Sequence, residues 1–326
     1  MNVTMLGAGG FGTALAKTLQ EGGHAVTVWG HDAGFLATLR ETRCNERYLP
    51  GIALPPTLAF EPDLARATAG AEVVVAAIPS KAFREVTSRI AGFGSVVVSV
   101  TKGIEYTTGM TMCDVLAETM PQAEHAALSG PSFAREVALG FPTAIVAASP
   151  DPAVAARVQK LFHRPFFRVY TSTDLRGVEM GGALKNVIAI AAGVCDGLRF
   201  GDNSKAALIT RAMAEVRRLG IANGANGETF TGLSGLGDLT VTCFSKQSRN
   251  RTFGERLGKG EKLPEVLASM TAVAEGYPTT RSAYQLARRL NAYTPVIDEV
   301  YRMLYEGKDL ATGVRDLMMR DTKPED

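Results

Sequence analysis

The 326-residue sequence has few of the residues that build metal sites and disulfide frameworks. Its four cysteines, Cys44, Cys113, Cys195 and Cys243, show no C-x-x-C spacing and have no histidine close to them in the chain. Zinc sites and disulfide-stapled domains are recognised by such spacings, so we expect neither a metal nor a disulfide. A reduced, cytoplasmic compartment fits this cysteine usage best.

The sequence also lacks a strong charge imbalance and a long apolar run. Lys and Arg number 35 against 33 Asp and Glu, which gives a formal net charge of +2. No block of basic residues with interleaved aromatics is present, so nucleic acid is not an expected partner. No apolar run approaches the ~20 residues of a membrane span, and the N-terminus lacks the basic and then apolar pattern of a signal peptide. We therefore expect neither a membrane span nor a signal peptide.

The first half of the chain alternates short β-branched runs with helical patterns. The predicted strands are Val3–Leu6, Ala25–Trp29, Val73–Ile78, Val96–Val100, Ala126–Leu128, Thr143–Ala147 and Phe167–Tyr170. This alternation indicates βαβ units and a doubly wound, mostly parallel sheet. From about Thr173, where Thr173 or Asp174 would cap a helix, long helical patterns replace the strands. We predict an α/β domain over residues 1–173 and an all-helical domain over residues 174–326.

The run Gly7-Ala8-Gly9-Gly10-Phe11-Gly12 lies between the first predicted strand and a strong helical pattern. A G-x-G-x-x-G pattern alone is weak evidence, because glycine accumulates in many turns. In this order of strand, turn and helix, Gly7 permits the tight turn, Gly9 lets the backbone approach a pyrophosphate, and Gly12 allows close helix packing. The N–H groups at the helix start would face the phosphates. The pattern predicts a Rossmann-like domain that binds a nicotinamide cofactor.

The second predicted strand ends at Gly30-His31-Asp32, where NAD enzymes place an acid for the ribose 2′-hydroxyl. Asp32 would serve that role or would cap the following helix, and His31 would tolerate a 2′-phosphate. The sequence does not decide between these two roles for Asp32. We expect NAD or NADP to be accepted.

Small polar residues follow two other predicted strands. Lys102 follows one of them and is placed to meet an anionic ligand, with a solvated loop lysine as the alternative. Gly130 and Ser132 follow the next one, and Ser132 would alternatively cap a helix. Ligands of open α/β sheets bind beyond the carboxyl ends of the strands, so these residues are candidates for the site.

Lys185 lies in the middle of a helical pattern that is apolar nearly all round and is therefore expected to be buried. No carboxylate three or four positions away on the same helix can pair with it. A buried ammonium without a partner is costly and has a depressed pKa, which favours a lysine that exchanges a proton with a carbonyl oxygen. A side chain that reaches the surface or pairs with a distant acid is the alternative. Asn186 beside it would hydrogen-bond the substrate or the backbone.

Two later stretches carry further polar candidates. Asp238, in a glycine-rich turn, either caps a helix or compensates Lys185. The run Ser248-Arg249-Asn250-Arg251 combines a hydroxyl, an amide and two guanidiniums, which suits a phosphate group. A charged helix start is the alternative interpretation of the same run.

Seven stretches occur together along nearly the whole chain. They are "GAGGFGTALA", "TKGIE", "SGPSFAREV", "GALKNVIAIAAGV", "GLSGLGDLTVTC", "SRNR" and "VAEGYPTT". In this order they resemble the soluble, bacterial-type glycerol-3-phosphate dehydrogenase family, which uses NAD or NADP. The resemblance implies interconversion of dihydroxyacetone phosphate and sn-glycerol 3-phosphate, which supplies glycerol 3-phosphate for phospholipid biosynthesis. A homodimer is an expectation by analogy.

The resemblance also implies roles for single residues, with Lys185 as the proton donor and acceptor. The implied substrate contacts are Lys102, Gly130, Ser132, Lys185, Asp238, Ser248, Arg249 and Asn250. The cofactor contacts, with the fingerprint glycines, are Gly7, Gly9, Gly10, Phe11, Gly12, His31, Tyr48, Lys102, Ala134, Arg249, Val273 and Glu275. Many members carry Arg at the position of His31, and neutral imidazole attracts a 2′-phosphate less than Arg does.

Two rival functions stay open beside this one. The first is another two-domain dehydrogenase that acts on a hydroxy acid such as 6-phosphogluconate. The second is a redox sensor that binds a nicotinamide cofactor and signals without turnover. Such a sensor has no need for a buried, unpaired Lys185, so this lysine favours an enzyme.

Overall fold

The structure is a computed structural model that describes residues 1–270 and 274–321. The chain divides into two compact units. The first unit consists of Met1–Glu105 and Met110–Glu179, and the second, here called the helical unit, consists of Tyr106–Gly109 and Met180–Asp326. The domain bounds expected from composition, 1–173 and 174–326, stay a prediction.

The first unit is built around one eight-stranded sheet in the described residues. The strands of this sheet and of a separate hairpin are β1 (Asn2–Leu6), β2 (Ala25–Trp29), β3 (Cys44–Asn45), β4 (Leu49–Ala53), β5 (Ala59–Glu61), β6 (Val73–Ala76), β7 (Val96–Ser99), β8 (Glu124–Ser129), β9 (Thr143–Ala148) and β10 (Phe167–Ser172). The strand order is β10-β9-β8-β7-β6-β1-β2-β5, with β3 and β4 paired apart. Neighbours in the sheet are parallel except for β8 and β9. The predicted Rossmann-like, mostly parallel sheet is confirmed.

Helices connect these strands and cover the sheet. They are α1 (Gly10–Glu21), α2 (Ala33–Thr42), α3 (Leu64–Thr68), α4 (Ser80–Ser88), α5 (Met112–Thr119), α6 (Ala134–Ala138) and α7 (Pro152–Phe162). Several of them begin at side-chain caps, such as Thr111 with Asp114 in a capping box at α5, and Asp151 before Pro152 at α7. The cap at α1 is different, because Gly9 has no side chain with which to make a hydrogen bond.

The sheet has a hydrophobic core on each face. Alternate residues of one central strand divide between the two cores, since Val73 and Val75 belong to one and Val74 to the other. All three are at most 2% exposed. Burial on both faces explains why the strands appear in the sequence as continuous β-branched runs rather than as alternating patterns. It also leaves the strand ends as the place for polar residues.

The direction in which the chain builds the sheet reverses next to β1. From β1 the chain adds β2 and β5 on one side, and then β6, β7 and β8 on the other side. The connections on the two sides of such a reversal leave a crevice beyond the carboxyl ends of the central strands, where ligands bind in open α/β sheets. The turn after β1 and the segment after β6 lie at this position.

The helical unit contains the rest of the secondary structure. Its helices are α8 (Leu175–Gly197), which begins in the first unit, α9 (Asp202–Ala222), α10 (Asp238–Phe244), α11 (Arg249–Gly258), α12 (Leu263–Ser269), α13 (Gly276–Arg289), α14 (Pro295–Tyr305) and α15 (Leu310–Met318). A 3₁₀ turn at Gly227–Thr231 and a π-helical turn at Leu233–Gly237 precede α10. The expected helical C-terminal region is confirmed.

Two polar contacts connect the first turns of α8 to the rest of the first unit. Arg176 Nη2 donates a hydrogen bond to Asp114 Oδ1 at 2.8 Å. Cys113 N donates to Glu179 Oε1 at 3.0 Å. At the start of the helix, Asp174 Oδ1 accepts from Gly177 N at 3.0 Å, so of the two cap candidates Asp174 makes the capping hydrogen bond.

The helices α8 and α11 approach so closely that only glycine fits at the contact. The glycines are Gly193 and Gly197 in α8, and Gly254 and Gly258 in α11. A Cβ at Gly193 would lie 2.0 Å from the Arg251 carbonyl oxygen, and one at Gly254 would lie 2.0 Å from the Ile190 carbonyl oxygen. The spacing of four residues places both glycines of each helix on one face. The backbone contact therefore fixes α11 against α8.

The helix α8 corrects one expectation from the sequence. By length and composition it could span a membrane, with 23 residues and a mean hydropathy of 1.4 over an 18-residue window. The statement that no apolar run approaches this length is therefore wrong. Because 94% of that window is buried inside the protein, the helix has the environment of a core helix.

Candidate functional site

The glycine run after β1 forms a tight turn at the sheet reversal. Gly7 has φ +115°, a conformation that favours glycine, and a Cβ there would lie 2.4 Å from the Ala77 carbonyl oxygen. A Cβ at Gly12 would lie 2.2 Å from the Gly7 carbonyl oxygen, whereas a Cβ at Gly9 would meet nothing within 4 Å. The turn is therefore closely packed at Gly7 and Gly12 and open at Gly9, where the fingerprint requires a pyrophosphate to approach.

The start of α1 supplies the matching electrostatics. Its N-cap is Gly9, and no side chain of the described residues caps it. The N–H groups of a first helical turn have no partner within the helix, and together with the helix dipole they attract an anion. These residues fit the pyrophosphate of a nicotinamide dinucleotide.

Tyr48 and Ala134 lie against the same helix start. A Cβ at Gly10 would lie 2.6 Å from the Tyr48 carbonyl oxygen and 3.7 Å from the Ala134 Cβ. Tyr48 is half-buried and packs edge to face on Phe35, with ring centres 5.6 Å apart. The structure thus brings these two predicted cofactor residues next to the glycine run.

The end of β2 shows the capping interaction expected as one alternative for Asp32. Asp32 Oδ1 accepts a hydrogen bond from Phe35 N at 2.9 Å and caps α2. This is the helix-capping role. His31 is exposed directly after the strand, where the adenosine ribose of a dinucleotide lies in this fold.

Lys102, Gly130 and Ser132 meet around one carbonyl group beyond β7 and β8. Lys102 Nζ donates to the Gly130 oxygen at 2.8 Å, and Ser132 Oγ donates to the same oxygen at 2.9 Å. Lys102 Nζ also lies 6.0 Å from the centre of the Phe11 ring, so it is beside the glycine run. The cap alternative for Ser132 is wrong, because α6 has Phe133 as its N-cap.

Lys185 is buried in α8, with 7% of its surface exposed. Its Nζ forms an ion pair with Asp238 Oδ1 and donates to Thr242 Oγ1 at 2.9 Å. Thr242 Oγ1 in turn donates to the Asp238 carbonyl oxygen at 2.6 Å. The premise of an unpaired lysine is therefore wrong, and the alternative of a distant acid is what the structure shows. The carboxylate stabilises the charged form of the lysine.

Asp238 reaches Lys185 from the π-helical turn at Leu233–Gly237. The turn is closely packed, since a Cβ at Gly235 would lie 2.2 Å from the Phe230 carbonyl oxygen. The N-cap of α10 is Gly237, and Asp238 is the first residue of that helix, where its carboxylate contacts Lys185. π-Helical turns insert an extra residue into a helix and are frequent at functional sites. The helix-cap alternative for Asp238 is therefore wrong.

A chain of amide groups connects three helices beside Lys185. Asn250 Nδ2 donates to Asn186 Oδ1 at 2.8 Å, and Gly276 N donates to Asn250 Oδ1 at 2.9 Å. Asn186 and Asn250 are 5% and 8% exposed. These hydrogen-bonded amides connect α8, α11 and α13. They therefore fix the start of α11 next to Asn186, the residue that follows Lys185.

The start of α11 carries the other predicted phosphate ligands. Ser248 Oγ accepts from Arg251 N at 3.2 Å and caps the helix, so the helix-start interpretation of this run holds for Ser248. Arg249 keeps an exposed surface, although atoms around its guanidinium desolvate it and lower its pKa. The Glu275 carboxylate acts in the opposite direction and favours the charged guanidinium. Val273, also predicted to contact the cofactor, lies outside the described residues.

Sequence reasoning missed Thr242 and a second buried ion pair. Lys205 Nζ pairs with Asp196 Oδ1, and Arg251 Nη2 forms an ion pair with the other oxygen of Asp196 at 2.6 Å. Thr242 follows Asp238 by four residues, a spacing that places both on one helix face and could have identified it. The pair of Lys205 and Asp196 has no such signal, because its members lie on different helices.

Two family models cover most of the chain. The model of the NAD-dependent glycerol-3-phosphate dehydrogenase N-terminus matches residues 2–155, and that of the C-terminus matches residues 174–315. The chain belongs to this family. The Geobacter sulfurreducens protein named glycerol-3-phosphate dehydrogenase (NAD(P)+) is 51% identical, over 99% of this chain and 98% of its own length. The Anaeromyxobacter dehalogenans protein of the same name is 49% identical over the full length of both chains.

Solved structures agree with this membership. The crystal structure of glycerol-3-phosphate dehydrogenase from Coxiella burnetii has a TM-score of 0.95 and 37% identity, and the match covers 98% of this chain and 99% of that one. The predicted family, oxidoreductase class and NAD(P) cofactor are confirmed. The two rival functions, a hydroxy-acid dehydrogenase and a sensor without turnover, are set aside.

Proposed function

We propose that Lys185 is the proton donor and acceptor in the interconversion of dihydroxyacetone phosphate and sn-glycerol 3-phosphate that this family catalyses. The observation that carries the proposal is the contact of a buried lysine with one carboxylate, Asp238, and one hydroxyl, Thr242. A positioned side chain that transfers a proton to a reacting oxygen contributes about 10²- to 10⁴-fold to a rate.

The residues around Lys185 have separate tasks in this mechanism. In the reducing direction, an N–H of Lys185 donates its proton to the C2 carbonyl oxygen of the substrate, and in the oxidising direction the neutral amine takes the C2 hydroxyl proton. Asp238 stabilises the ammonium, and Thr242 orients Nζ because its hydroxyl is fixed on the Asp238 carbonyl oxygen. When bound, the nicotinamide cofactor supplies or accepts the hydride at C2.

The cofactor residues of the first unit follow from the turn geometry. We assign the pyrophosphate to the backbone at Gly7, Gly9, Gly10 and Gly12 and to the uncapped start of α1. The other cofactor contacts that we propose are Phe11, Lys102 and Ala134 near the glycine run, His31 and Tyr48 for the adenosine part, and Arg249, Val273 and Glu275 in the helical unit. The packing of Tyr48 and Ala134 on Gly10 supports this set.

The substrate phosphate is assigned to the start of α11. Arg249 keeps an exposed surface, its guanidinium can bind two phosphate oxygens, and Asn250 and Ser248 add neutral polar groups. In the first unit we assign substrate contacts to Lys102, Gly130 and Ser132, which share one carbonyl group. Asp238 contributes through Lys185.

The proposal also covers the cellular compartment, the metabolic role and the oligomeric state of the enzyme. Cys44, Cys113, Cys195 and Cys243 are all free thiols, which supports a reducing, cytoplasmic compartment. We propose that the product glycerol 3-phosphate supplies phospholipid biosynthesis and that the chain acts as a homodimer.

The first experiment is the initial rate of NADH and NADPH oxidation by the purified protein with dihydroxyacetone phosphate. Rapid oxidation that falls by about 10²-fold or more in a folded Lys185→Ala variant supports the proposal. Circular dichroism establishes that the variant is folded. A folded wild type that binds the cofactor and does not oxidise it would contradict the proposed reaction.

A further inference from the structure

The end of β2 and the first turn of α2 form the region that distinguishes NAD from NADP in this fold. The adenosine ribose of a dinucleotide lies there, with a 2′-hydroxyl in NAD and a 2′-phosphate in NADP. Gly30, directly after β2, is close to the glycine run, since a Cβ at Gly30 would lie 3.6 Å from the Ala8 Cβ. Side chains beside this helix start therefore decide which dinucleotide binds.

The carboxylate of Asp32, the acid at this position, makes a hydrogen bond within the protein. Enzymes that select NAD use an Asp or Glu after the second strand to accept the 2′-hydroxyl, and such a carboxylate repels a 2′-phosphate. Here Asp32 Oδ1 accepts from Phe35 N at 2.9 Å as the cap of α2. A carboxylate held against the helix start is partly neutralised by the dipole of that helix.

Arg47 places a cation beside this helix start. Its guanidinium carbon lies 5.1 Å from the centre of the Tyr48 ring and 5.9 Å from that of Phe35. The two rings meet edge to face at 5.6 Å and 87°. Phe35 lies in the first turn of α2, and the Tyr48 carbonyl oxygen lies 2.6 Å from a Cβ position on Gly10. The aromatic pair thus holds an exposed guanidinium near both the helix start and the glycine run.

The two nearby arginines are used differently. Arg40 Nη2 donates to the Phe60 carbonyl oxygen at 2.6 Å, and Arg43 Nη1 donates to the Leu58 carbonyl oxygen at 2.7 Å. Both therefore fix the chain around β5. Arg43 also lies over a ring, that of Phe60 at 5.7 Å. Arg47 differs in that, within the described residues, it contacts ring faces and donates to no backbone carbonyl. A guanidinium stacked on a ring keeps its N–H groups in its own plane, where they can bind an anion.

The acid next to Arg47 in the chain is directed elsewhere. The Glu46 carboxylate accepts from Cys44 Sγ at 2.7 Å and from Gly51 N at 3.3 Å, so it faces the β3–β4 hairpin. These hydrogen bonds hold the pKa of Glu46 below its ordinary value. The local arrangement directs the negative charge into the hairpin and the positive charge toward the aromatic pair.

We propose that Arg47 binds the 2′-phosphate of NADP and that it is the residue by which this chain accepts NADP as well as NAD. The inference rests on the proposed function, since it concerns the cofactor of the same reaction. The guanidinium fork matches two phosphate oxygens, and His31 after β2 is the second polar group at the ribose.

The test is equilibrium binding by isothermal titration calorimetry with NADP+ and with NAD+, on the wild type and on Arg47→Gln. Arg168→Gln is the matched control, because Arg168 is exposed on β10 and its guanidinium lies 5.0 Å from the centre of the Tyr170 ring. The expected result is a rise of about 10-fold or more in the Kd for NADP+ in Arg47→Gln. The Kd for NAD+ should stay within about 2-fold, and the control should match the wild type.

The outcomes separate this inference from the proposed function. Equal losses for NADP+ and NAD+ in Arg47→Gln would place the guanidinium on a part that both dinucleotides share and would overturn the inference. Unchanged affinities, or the same selective loss in Arg168→Gln, would also overturn it while the proposed function stands. A folded wild type that binds neither dinucleotide would instead overturn the proposed function and, with it, this inference. Titration with 2′-AMP and 5′-AMP repeats the comparison without the nicotinamide half.

Discussion

Lys185 pairs with Asp238 and Lys205 pairs with Asp196, and both lysines are buried in the helical unit. Their exposed fractions are 7% and 6%, so burial does not distinguish them. The other contacts of the two lysines distinguish them. Lys185 Nζ donates to the Thr242 hydroxyl, whereas Lys205 Nζ lies 5.2 Å from the Phe244 ring and shares its aspartate with Arg251.

The second cation on Asp196 is the main difference between the two pairs, and it supports the separate roles that we propose for the two lysines. An arginine stays charged at any ordinary pH, so the pair of Lys205 and Asp196 belongs to a network with fixed charges. Lys185 contacts the Asp238 carboxylate and the Thr242 hydroxyl, and a hydroxyl both accepts and donates hydrogen bonds. Burial and an ion pair are therefore not enough to identify a catalytic lysine, and the other contacts of its carboxylate must be known.

The largest expected effect is the loss of turnover in Lys185→Met. We expect kcat to fall by about 10²- to 10⁴-fold, because the substrate oxygen loses its proton donor. Lys205→Met, the same change at an equally buried lysine, should retain most of the kcat. Steady-state rates with saturating dihydroxyacetone phosphate and NADH measure both. Similar losses in the two folded variants would remove the distinction between the pairs.

The next effect concerns the arginines of α11, where Arg249 belongs to the proposed phosphate site and Arg251 to the Asp196 network. Arg249→Ala should raise the KM for dihydroxyacetone phosphate by about 10- to 100-fold, because a charge-assisted hydrogen bond to the phosphate is lost. Arg256→Ala is the control on the same helix, where Arg256 pairs with Glu261. An unchanged KM in Arg249→Ala would exclude it from the phosphate site.

A double-mutant cycle tests whether the second pair is structural. We expect Lys205→Met to lower the free energy of unfolding by about 1–3 kcal/mol, less than for an isolated buried pair because Arg251 still neutralises Asp196. Urea unfolding of Lys205→Met, Asp196→Asn and the double variant gives the coupling energy. Strictly additive losses would show that the two side chains do not stabilise each other.

The last prediction concerns Glu215, a buried carboxylate on α9 that binds backbone amides rather than a lysine. Its oxygens accept from Val296 N at 2.9 Å and from Ile297 N at 3.3 Å at the start of α14. Burial outweighs these hydrogen bonds and raises the pKa of Glu215 to about 7, from an ordinary 4.5. Between these two values the native state holds a proton that the unfolded state lacks, so the stability falls as the pH rises.

The measurement is the free energy of unfolding of the wild type and Glu215→Gln from pH 4.5 to pH 7. The difference between the two proteins should change by about 1 kcal/mol per pH unit near the middle of this window, with the variant less dependent on pH. Glutamine keeps an acceptor oxygen for the α14 amides. Parallel curves for the two proteins would contradict the raised pKa.

Local chemistry explains what could be predicted of the fold. The strand, glycine turn and helix at the start of the chain depend on neighbouring residues, so the sequence pattern was sufficient there. The strands β3, β4 and β5 were missed, because β3 and β5 have only two and three residues and β4 contains Pro50 and Gly51. Strands of this kind are determined by their partners rather than by their own propensity.

In the candidate site, contacts between residues far apart in the sequence could not be predicted either. Lys185 and Asp238 were both recognised, but they are 53 positions apart, and their pairing depends on how α8 and α10 pack. Asn250 reaches Asn186 because the glycines of α8 and α11 let the two backbones approach. A sequence pattern does not contain such contacts. The pattern can identify candidate side chains for the site, but the packing of the helices determines which of them contact each other.

The π-helical turn before Asp238 has a consequence for how this segment can vary. One residue of an α-helix corresponds to a rotation of about 100°. A deletion within Leu233–Gly237 that restored α-helical winding would therefore turn the Asp238 carboxylate away from Lys185, even if every other residue were kept. Ser234 and Gly235 are buried, whereas a substitution at the exposed Leu236 changes only the surface of the turn. In this segment the number of residues constrains the enzyme more strongly than their identity, and related chains are expected to differ here in composition while keeping the same length.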